Sequence, residues 1–142
     1  MIGDTKKLPK ETLEALERAE EKTKDNTGLI LNFALNYGGR VEITQAVKQI
    51  AQEVLDADFS PEDITEEMIA DHLYTESLPR DLRDPDLIIR TSGEIRLSNF
   101  LPWQAAYSEL YFTDIMWPDF GEEALRRAVV EYSHRHRRFG GV

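Results

Sequence analysis

Arg90, Arg96 and Ser98 lie close together, with Thr91, Ser92 and Gly93 following the first of them. A guanidinium presents a rigid fork of donors that matches phosphate or carboxylate. The hydroxyls add donors, and Gly93 lets the backbone approach closely or take a positive φ. The set suits an oxyanion with several acceptor oxygens. The same residues also fit a plainer role, as exposed arginines paired with Asp84, Asp86 or Glu94, because ordinary surface charges also sit in such loops.

Three further groups could do chemistry. Glu109 precedes Leu110-Tyr111-Phe112. A carboxylate beside an apolar strand is costly to bury alone. It therefore faces solvent, pairs with an arginine or binds a cation, and oxygen ligands near phosphate suit Mg²⁺. Asn36-Tyr37-Gly38-Gly39-Arg40 is a Gly-rich turn ahead of a helical pattern. Such a turn can bind phosphate through backbone N–H groups and the helix dipole. It is neither a dinucleotide fingerprint nor a P-loop, and a tight turn without a ligand explains Gly-Gly as well. Arg126, Arg127, Arg135, Arg137 and Arg138 crowd the C-terminus with His134 and His136. They suit a local anion site, or equally a helix end whose cations complement its dipole. His72 has no second ligand at metal spacing and reads as structural or surface.

The elements that must position these groups alternate. Leu87–Ile89 is a short apolar run with β-branched residues and reads as a buried strand over 86–90 that ends at Arg90. Open α/β sheets place ligands at such strand ends. Leu29–Leu35 reads as a central strand and Leu110–Phe112 as a short one. Ile2-Gly3-Asp4 resembles a strand end and its turn. Helices are expected after Pro9, with Leu13, Leu16 and Ala19 as an apolar stripe facing a sheet. After Arg40, Val41, Ile43, Ala46, Val47, Ile50, Ala51 and Val54 recur at helical spacing. Ser60-Pro61-Glu62-Asp63 and Thr65-Glu66-Glu67 are two helix starts, each with a plausible cap. A short helix follows Pro102, with Trp103 and Tyr107 on one face as core aromatics. The last helix spans Gly121 to Arg138, with Ala124, Leu125, Ala128, Val129 and Tyr132 inward. Strands separated by helices predict an α/β fold with a parallel sheet flanked by helices.

Composition narrows the function. At 142 residues with 41% apolar content, the chain can bury a core and is not of disordered composition. It lacks cysteine, which excludes disulfides and thiolate metal sites and suits a cytoplasmic setting. No apolar run approaches membrane-span length. A net charge of -10 argues against a nucleic-acid partner, which needs a broad basic face.

The order of residues from Asp86 to Phe112, Asp-Leu-Ile-Ile-Arg-Thr-Ser-Gly-Glu-x-Arg-x-Ser-Asn-Phe-x-x-Trp-Gln-x-x-Tyr-x-Glu-x-x-Phe, closely resembles the signature of the cis-prenyltransferases, the undecaprenyl diphosphate synthase family. Asn36-Tyr-Gly-Gly-Arg40, Trp117-Pro-Asp-Phe120 and Arg137-Arg-Phe-Gly-Gly141 resemble further family motifs. The resemblance implies condensation of isopentenyl diphosphate with an allylic diphosphate. The alkene attacks the allylic carbon as diphosphate leaves, a proton is lost, and a cis double bond forms. The product is a membrane-bound polyprenyl diphosphate such as the undecaprenyl carrier. By the same resemblance, Arg90, Arg96 and Ser98 bind the diphosphate of isopentenyl diphosphate, and Arg138 and Gly140 complete that site from the second subunit of a homodimer. Glu109 helps hold Mg²⁺, and Asn36, Gly38, Gly39 and Arg40 line the site, with Trp103 and Tyr107 nearby.

One departure is large. Nothing here resembles the family's N-terminal His-x-x-x-x-Met-Asp-Gly-Asn-Gly-Arg-Trp-Ala loop, which supplies the Mg²⁺ aspartate and the allylic diphosphate contacts. Residues 1–142 are therefore expected to be the C-terminal part of a single cis-prenyltransferase domain, with the acceptor half-site, no catalytic residue securely retained and no activity alone. An N-terminal complementing segment would supply the rest, and the location would be cytoplasmic or peripheral at the membrane surface. The alternatives are a non-catalytic partner subunit that donates an Arg-x-Gly motif to a full-length relative, and a generic α/β anion-binding module.

Overall fold

The computed structural model describes residues 1–56 and 59–135. The chain divides into two compact units, Met1–Ser77 and Leu78–Val142.

The first unit opens with a parallel bridge between Ile2 and Ala34. The Ile2 N–H donates to the Phe33 carbonyl at 2.9 Å and the Leu35 N–H to the Ile2 carbonyl at 3.0 Å. Gly3 turns the chain at φ 119°, where an added Cβ would lie 2.0 Å from the Leu35 carbonyl oxygen, so only glycine fits. Helix α1 (Lys10–Thr23) follows Pro9 and buries no residue completely. Its Leu16 and Ala19 line a groove of about 460 Å³ with Leu29, Leu31 and Phe33.

The expected strand at Leu29–Leu35 is reduced to the single Ala34 bridge. Leu29 is 91% and Leu31 68% exposed. The reason is pairing: an apolar run becomes a strand only when a neighbour takes up its N–H and C=O groups, and among the described residues its recorded partner is Ile2 alone.

Helix α2 (Gly39–Asp56) buries Gly39, Glu42, Ala46 and Ile50. Val41 and Val47, also apolar and at helical spacing, remain half exposed. The buried stripe is narrow because the partner helix α3 (Glu66–Ala70) is little more than one turn long. Both expected starts are present. The Ser60 N–H donates to Asp63 Oδ2 at 2.9 Å above a single 3₁₀ turn (Pro61–Asp63), and Thr65 Oγ1 accepts from the Met68 N–H at 3.2 Å to cap α3. Leu73, 1% exposed, fills the space beyond α3.

The second unit is built on two parallel strands, β1 (Leu87–Arg90) and β2 (Glu109–Phe112), in a register that runs from Leu87 opposite Glu109 to Arg90 opposite Phe112. Helix α4 (Glu122–Ser133) packs on β2 through the buried Ala124 and Ala128. Leu125 and Val129, expected inward, are about half exposed, because they lie one residue around the helix from the alanine row. The helix expected after Pro102 is a 3₁₀ turn, Gln104–Tyr107. That turn has three residues per revolution, so Trp103 and Tyr107 do not share a face. Trp103 is half-buried, Tyr107 is exposed, and the buried side chain is Gln104.

Candidate functional site

The loop after β1 is held by the ladder that it leaves. The Thr113 N–H donates to the Arg90 carbonyl at 3.0 Å, the Gly93 N–H to the Thr113 carbonyl at 3.0 Å and the Ser92 N–H to the Ile115 carbonyl at 2.9 Å. Ser92, Ser98, Asn99 and Leu101 all adopt positive φ, at 69°, 49°, 66° and 47°. Left-handed backbone in non-glycine residues costs of order 1 kcal/mol or more each and concentrates at ligand clamps and active sites. Gly93, at φ 70°, takes the same conformation without that strain. The loop therefore carries Arg90 half-buried at the strand end and presents Arg96 and Ser98 to solvent. Arg96 is ion-paired with Glu94, the plainer pairing that the sequence also allowed.

Glu109 stands elsewhere. It begins β2 opposite Leu87, three residues before the position opposite Arg90. At strand rise that places the two backbones about 10 Å apart along the ladder, at opposite ends of it. Of the three options open to Glu109, the structure takes the arginine. Arg135 Nη1 donates to Glu109 Oε2 and to the Leu110 carbonyl, each at 2.9 Å, and its Nη2 donates to Glu131 Oε1 at 2.6 Å. Glu131 foremost, then Glu109, raise the Arg135 pKa above its already high ordinary value. Sequence reasoning assigned Arg135 only to a basic cluster; its (i, i+4) spacing from Glu131 was the available signal.

Mg²⁺ takes several oxygen ligands. Among the described residues no group of three or more His, Asp or Glu side chains is placed to hold a metal, and Glu109 is already engaged by Arg135. The described residues do not by themselves fit a Mg²⁺ centre.

In the first unit, Asn36 sits at φ 48°, and its Nδ2 donates to the Asp4 carbonyl at 2.9 Å. The Gly38 carbonyl accepts from the N–H groups of Val41 and Glu42, each at 3.0 Å, and so opens α2. Gly39 is buried and Arg40 is exposed. Tyr37 turns inward and donates to Glu42 at 2.5 Å. Glu42 was not singled out in the sequence, and its complete burial is visible only in the fold. Arg138 and Gly140 lie outside the described residues.

His72 is structural, as expected. It bonds the Met68 carbonyl through Nδ1 at 2.7 Å and Glu53 Oε1 through Nε2 at 2.8 Å, which ties α2 to α3. The Glu53 hydrogen bond, then the Met68 contact, raise its pKa above the ordinary 6.5.

A strained loop carrying two arginines at the end of a parallel strand suits the handling of an anion, and comparison with known proteins shows the family. The family model described as "Putative undecaprenyl diphosphate synthase" matches residues 1–140. The chain belongs to the undecaprenyl diphosphate synthase family of prenyltransferases. It is 72% identical to the isoprenyl transferase of Streptococcus pneumoniae (strain ATCC BAA-255 / R6) over 142 residues, all of this chain and 56% of that one. It is likewise 72% identical to the isoprenyl transferase of Streptococcus mutans serotype c, covering all of this chain and 57% of the relative. Among solved structures it is similar to lavandulyl diphosphate synthase from Lavandula x intermedia in complex with dimethylallyl diphosphate. That match has 41% identity and a TM-score of 0.93, covering 99% of this chain and 58% of the other. A probable undecaprenyl diphosphate synthase from Campylobacter jejuni matches with 33% identity and a TM-score of 0.78, covering 99% and 61%. These matches establish the expected fold class, α/β with a parallel sheet flanked by helices, as part of the prenyltransferase fold. The chain spans a little over half the length of these relatives. No helix among the described residues is long and apolar enough to cross a membrane.

Proposed function

We propose that this chain carries the acceptor half-site of an isoprenyl transferase, the part that holds the diphosphate of isopentenyl diphosphate. The observation that supports it best is the loop after β1, which leaves the strand at Arg90, carries Arg96 and Ser98, and turns through left-handed Ser92, Gly93, Ser98, Asn99 and Leu101. The Arg96–Glu94 pair does not oppose this reading. Arg96 is 65% and Glu94 36% exposed, and exposed pairs contribute roughly 0–1 kcal/mol, so a more highly charged diphosphate can take over the guanidinium at little cost. Arg138 and Gly140, contributed across a homodimer, belong to the same proposal, as do Asn36, Gly38, Gly39 and Arg40 by the family resemblance alone. Trp103, half-buried, shapes its apolar side, and Tyr107 offers an exposed ring. Glu109 can lend at most one oxygen to a cation whose remaining ligands come from the diphosphate and from residues beyond this chain.

The allylic diphosphate is proposed to be bound by a complementing N-terminal segment, and the polyprenyl product to be released to a membrane. The chain alone is expected not to elongate an allylic diphosphate. The deciding experiment is calorimetric titration of the chain with isopentenyl diphosphate, with and without Mg²⁺, beside Arg96→Ala. Binding that weakens at least about ten-fold on substitution, as loss of a charge-assisted contact should produce, supports the half-site. Binding indifferent to Arg96→Ala, or a folded chain that binds nothing, overturns it. Turnover by the isolated chain that Arg96→Ala abolishes would overturn the expectation of inactivity. Recovery of a full-length relative with this chain from its host would instead favour the partner-subunit reading, which its 56% span of the relatives also accommodates.

A further inference from the structure

We infer that Glu42 is a positioning residue that acts through Tyr37 to hold the Asn36–Arg40 loop in one geometry. Glu42 lies on the same face of α2 as Ala46 and Ile50, four and eight residues on, and like them it is buried, at 0% exposure. Packing alone would fill that position with an apolar side chain. A buried carboxylate is costly unless its oxygens are satisfied, and replacement of buried ionic groups by well-packed hydrophobes is often neutral or stabilising. What such a group can supply is a single defined arrangement of its donors.

Two of its donors come from different parts of the unit. Oε2 accepts from the Tyr37 hydroxyl at 2.5 Å, and Oε1 accepts from the Tyr74 N–H at 2.7 Å. The two tyrosine rings meet edge to face, 6.2 Å apart at 68°. The first turn of a helix is also where a negative charge is favoured by the dipole. Tyr37 is the second residue of the loop. On one side Asn36 is held in a left-handed conformation by Asp4, and on the other the Gly38 carbonyl is tied to the start of α2. The Tyr37–Glu42 bond thus anchors the loop between the Asn36 and Gly38 ties, and it links the loop to Tyr74, 32 residues after Glu42. The inference about loop geometry stands on these contacts; its consequence for ligand binding rests on the acceptor half-site proposed above.

The chemistry separates positioning from mere folding. Tyr37→Phe removes the loop anchor and leaves the Glu42–Tyr74 contact in place. Glu42→Leu removes both. Glu42→Gln conserves both, because its carbonyl can accept from the Tyr74 N–H while its amide donates to the Tyr37 oxygen. The experiment is amide hydrogen exchange across the chain and its three variants, paired with isopentenyl diphosphate calorimetry. In Tyr37→Phe, exchange over residues 36–41 is expected to accelerate at least about ten-fold with 46–54 unchanged, as expected for loss of one hydrogen bond to a charged group. Glu42→Leu is expected to loosen both stretches, and Glu42→Gln to match the parent. Affinity for isopentenyl diphosphate is expected to fall about ten-fold in Tyr37→Phe and to stay at the parent value in Glu42→Gln. Unchanged loop exchange in Tyr37→Phe, or acceleration spread evenly over α2, overturns the positioning role. A parent chain that binds no isopentenyl diphosphate defeats the acceptor reading, while the exchange data still decide the anchor. A loosened loop with undiminished affinity overturns the link between anchor and ligand.

Discussion

Arg135 is the tie between the start of β2 and the end of α4, and its removal should be felt by the whole second unit. It makes two hydrogen bonds to carboxylates and one to the Leu110 carbonyl. The Glu131 arm is worth little, because Glu131 is 53% exposed and such (i, i+4) pairs contribute about 0.3–0.5 kcal/mol. The Glu109 arm is stronger. Arg135 and Glu109 are only 29% and 26% exposed, so solvent screens them less, and a hydrogen bond to a charged group is worth roughly 1.5–3 kcal/mol when well sheltered. Discounted for the remaining exposure, Arg135→Ala should cost about 2 kcal/mol, a factor of roughly 30 in the folding equilibrium. The coupling to Glu109 should account for about 1 kcal/mol of this. The two tryptophans, Trp103 and Trp117, both lie in the second unit, so urea unfolding followed by tryptophan fluorescence reports that unit directly. The measurement is a double-mutant cycle over Arg135→Ala and Glu109→Gln. Additivity to within about 0.3 kcal/mol would refute the tie and return Glu109 to solvent or to a cation. If Glu109 instead serves Mg²⁺ in preference to Arg135, millimolar Mg²⁺ should erase the coupling.

Two other perturbations follow from the first unit. His72 has a raised folded-state pKa, so its bond to Glu53 contributes stability that is fully present below the unfolded value near 6.5 and is lost as pH rises through the higher folded value. The urea midpoint read by circular dichroism should fall across that window, and Glu53→Gln should flatten the fall; a midpoint independent of pH above 6.5 would count against the tie. Leu73→Ala should destabilise by about 3 kcal/mol because the side chain is 1% exposed, whereas Leu55→Ala, at 79% exposure, should stay within about 0.5 kcal/mol. Equal effects of the two in urea denaturation would show that the packing around α2 and α3 is not as described.

Local chemistry carried much of this structure into view from the sequence. Ser60 and Thr65 mark two helix starts because a short polar side chain or its partner satisfies an orphan N–H, and both caps form. The strand at 87–90 and its end at Arg90 were legible because a β-branched apolar run stops at a charge. Other residues were legible only by half. Leu29–Leu35 has the composition of a strand, but a strand is a pairing and not a composition. Trp103 and Tyr107 are four apart, which places them on one face only if the turn is α-helical, and it is 3₁₀.

By itself the sequence determined the family and the residues available for chemistry, Arg90, Arg96 and Ser98 on one loop and the Gly-Gly turn on another, because side-chain chemistry and spacing are linear properties. Only the tertiary structure decided which charges are already spoken for. Arg135 lies 26 residues from Glu109, and Tyr74 lies 32 from Glu42. Whether a carboxylate meets an arginine, a backbone N–H or a metal depends on which distant group folding brings within hydrogen-bond reach, and no local pattern carries that information.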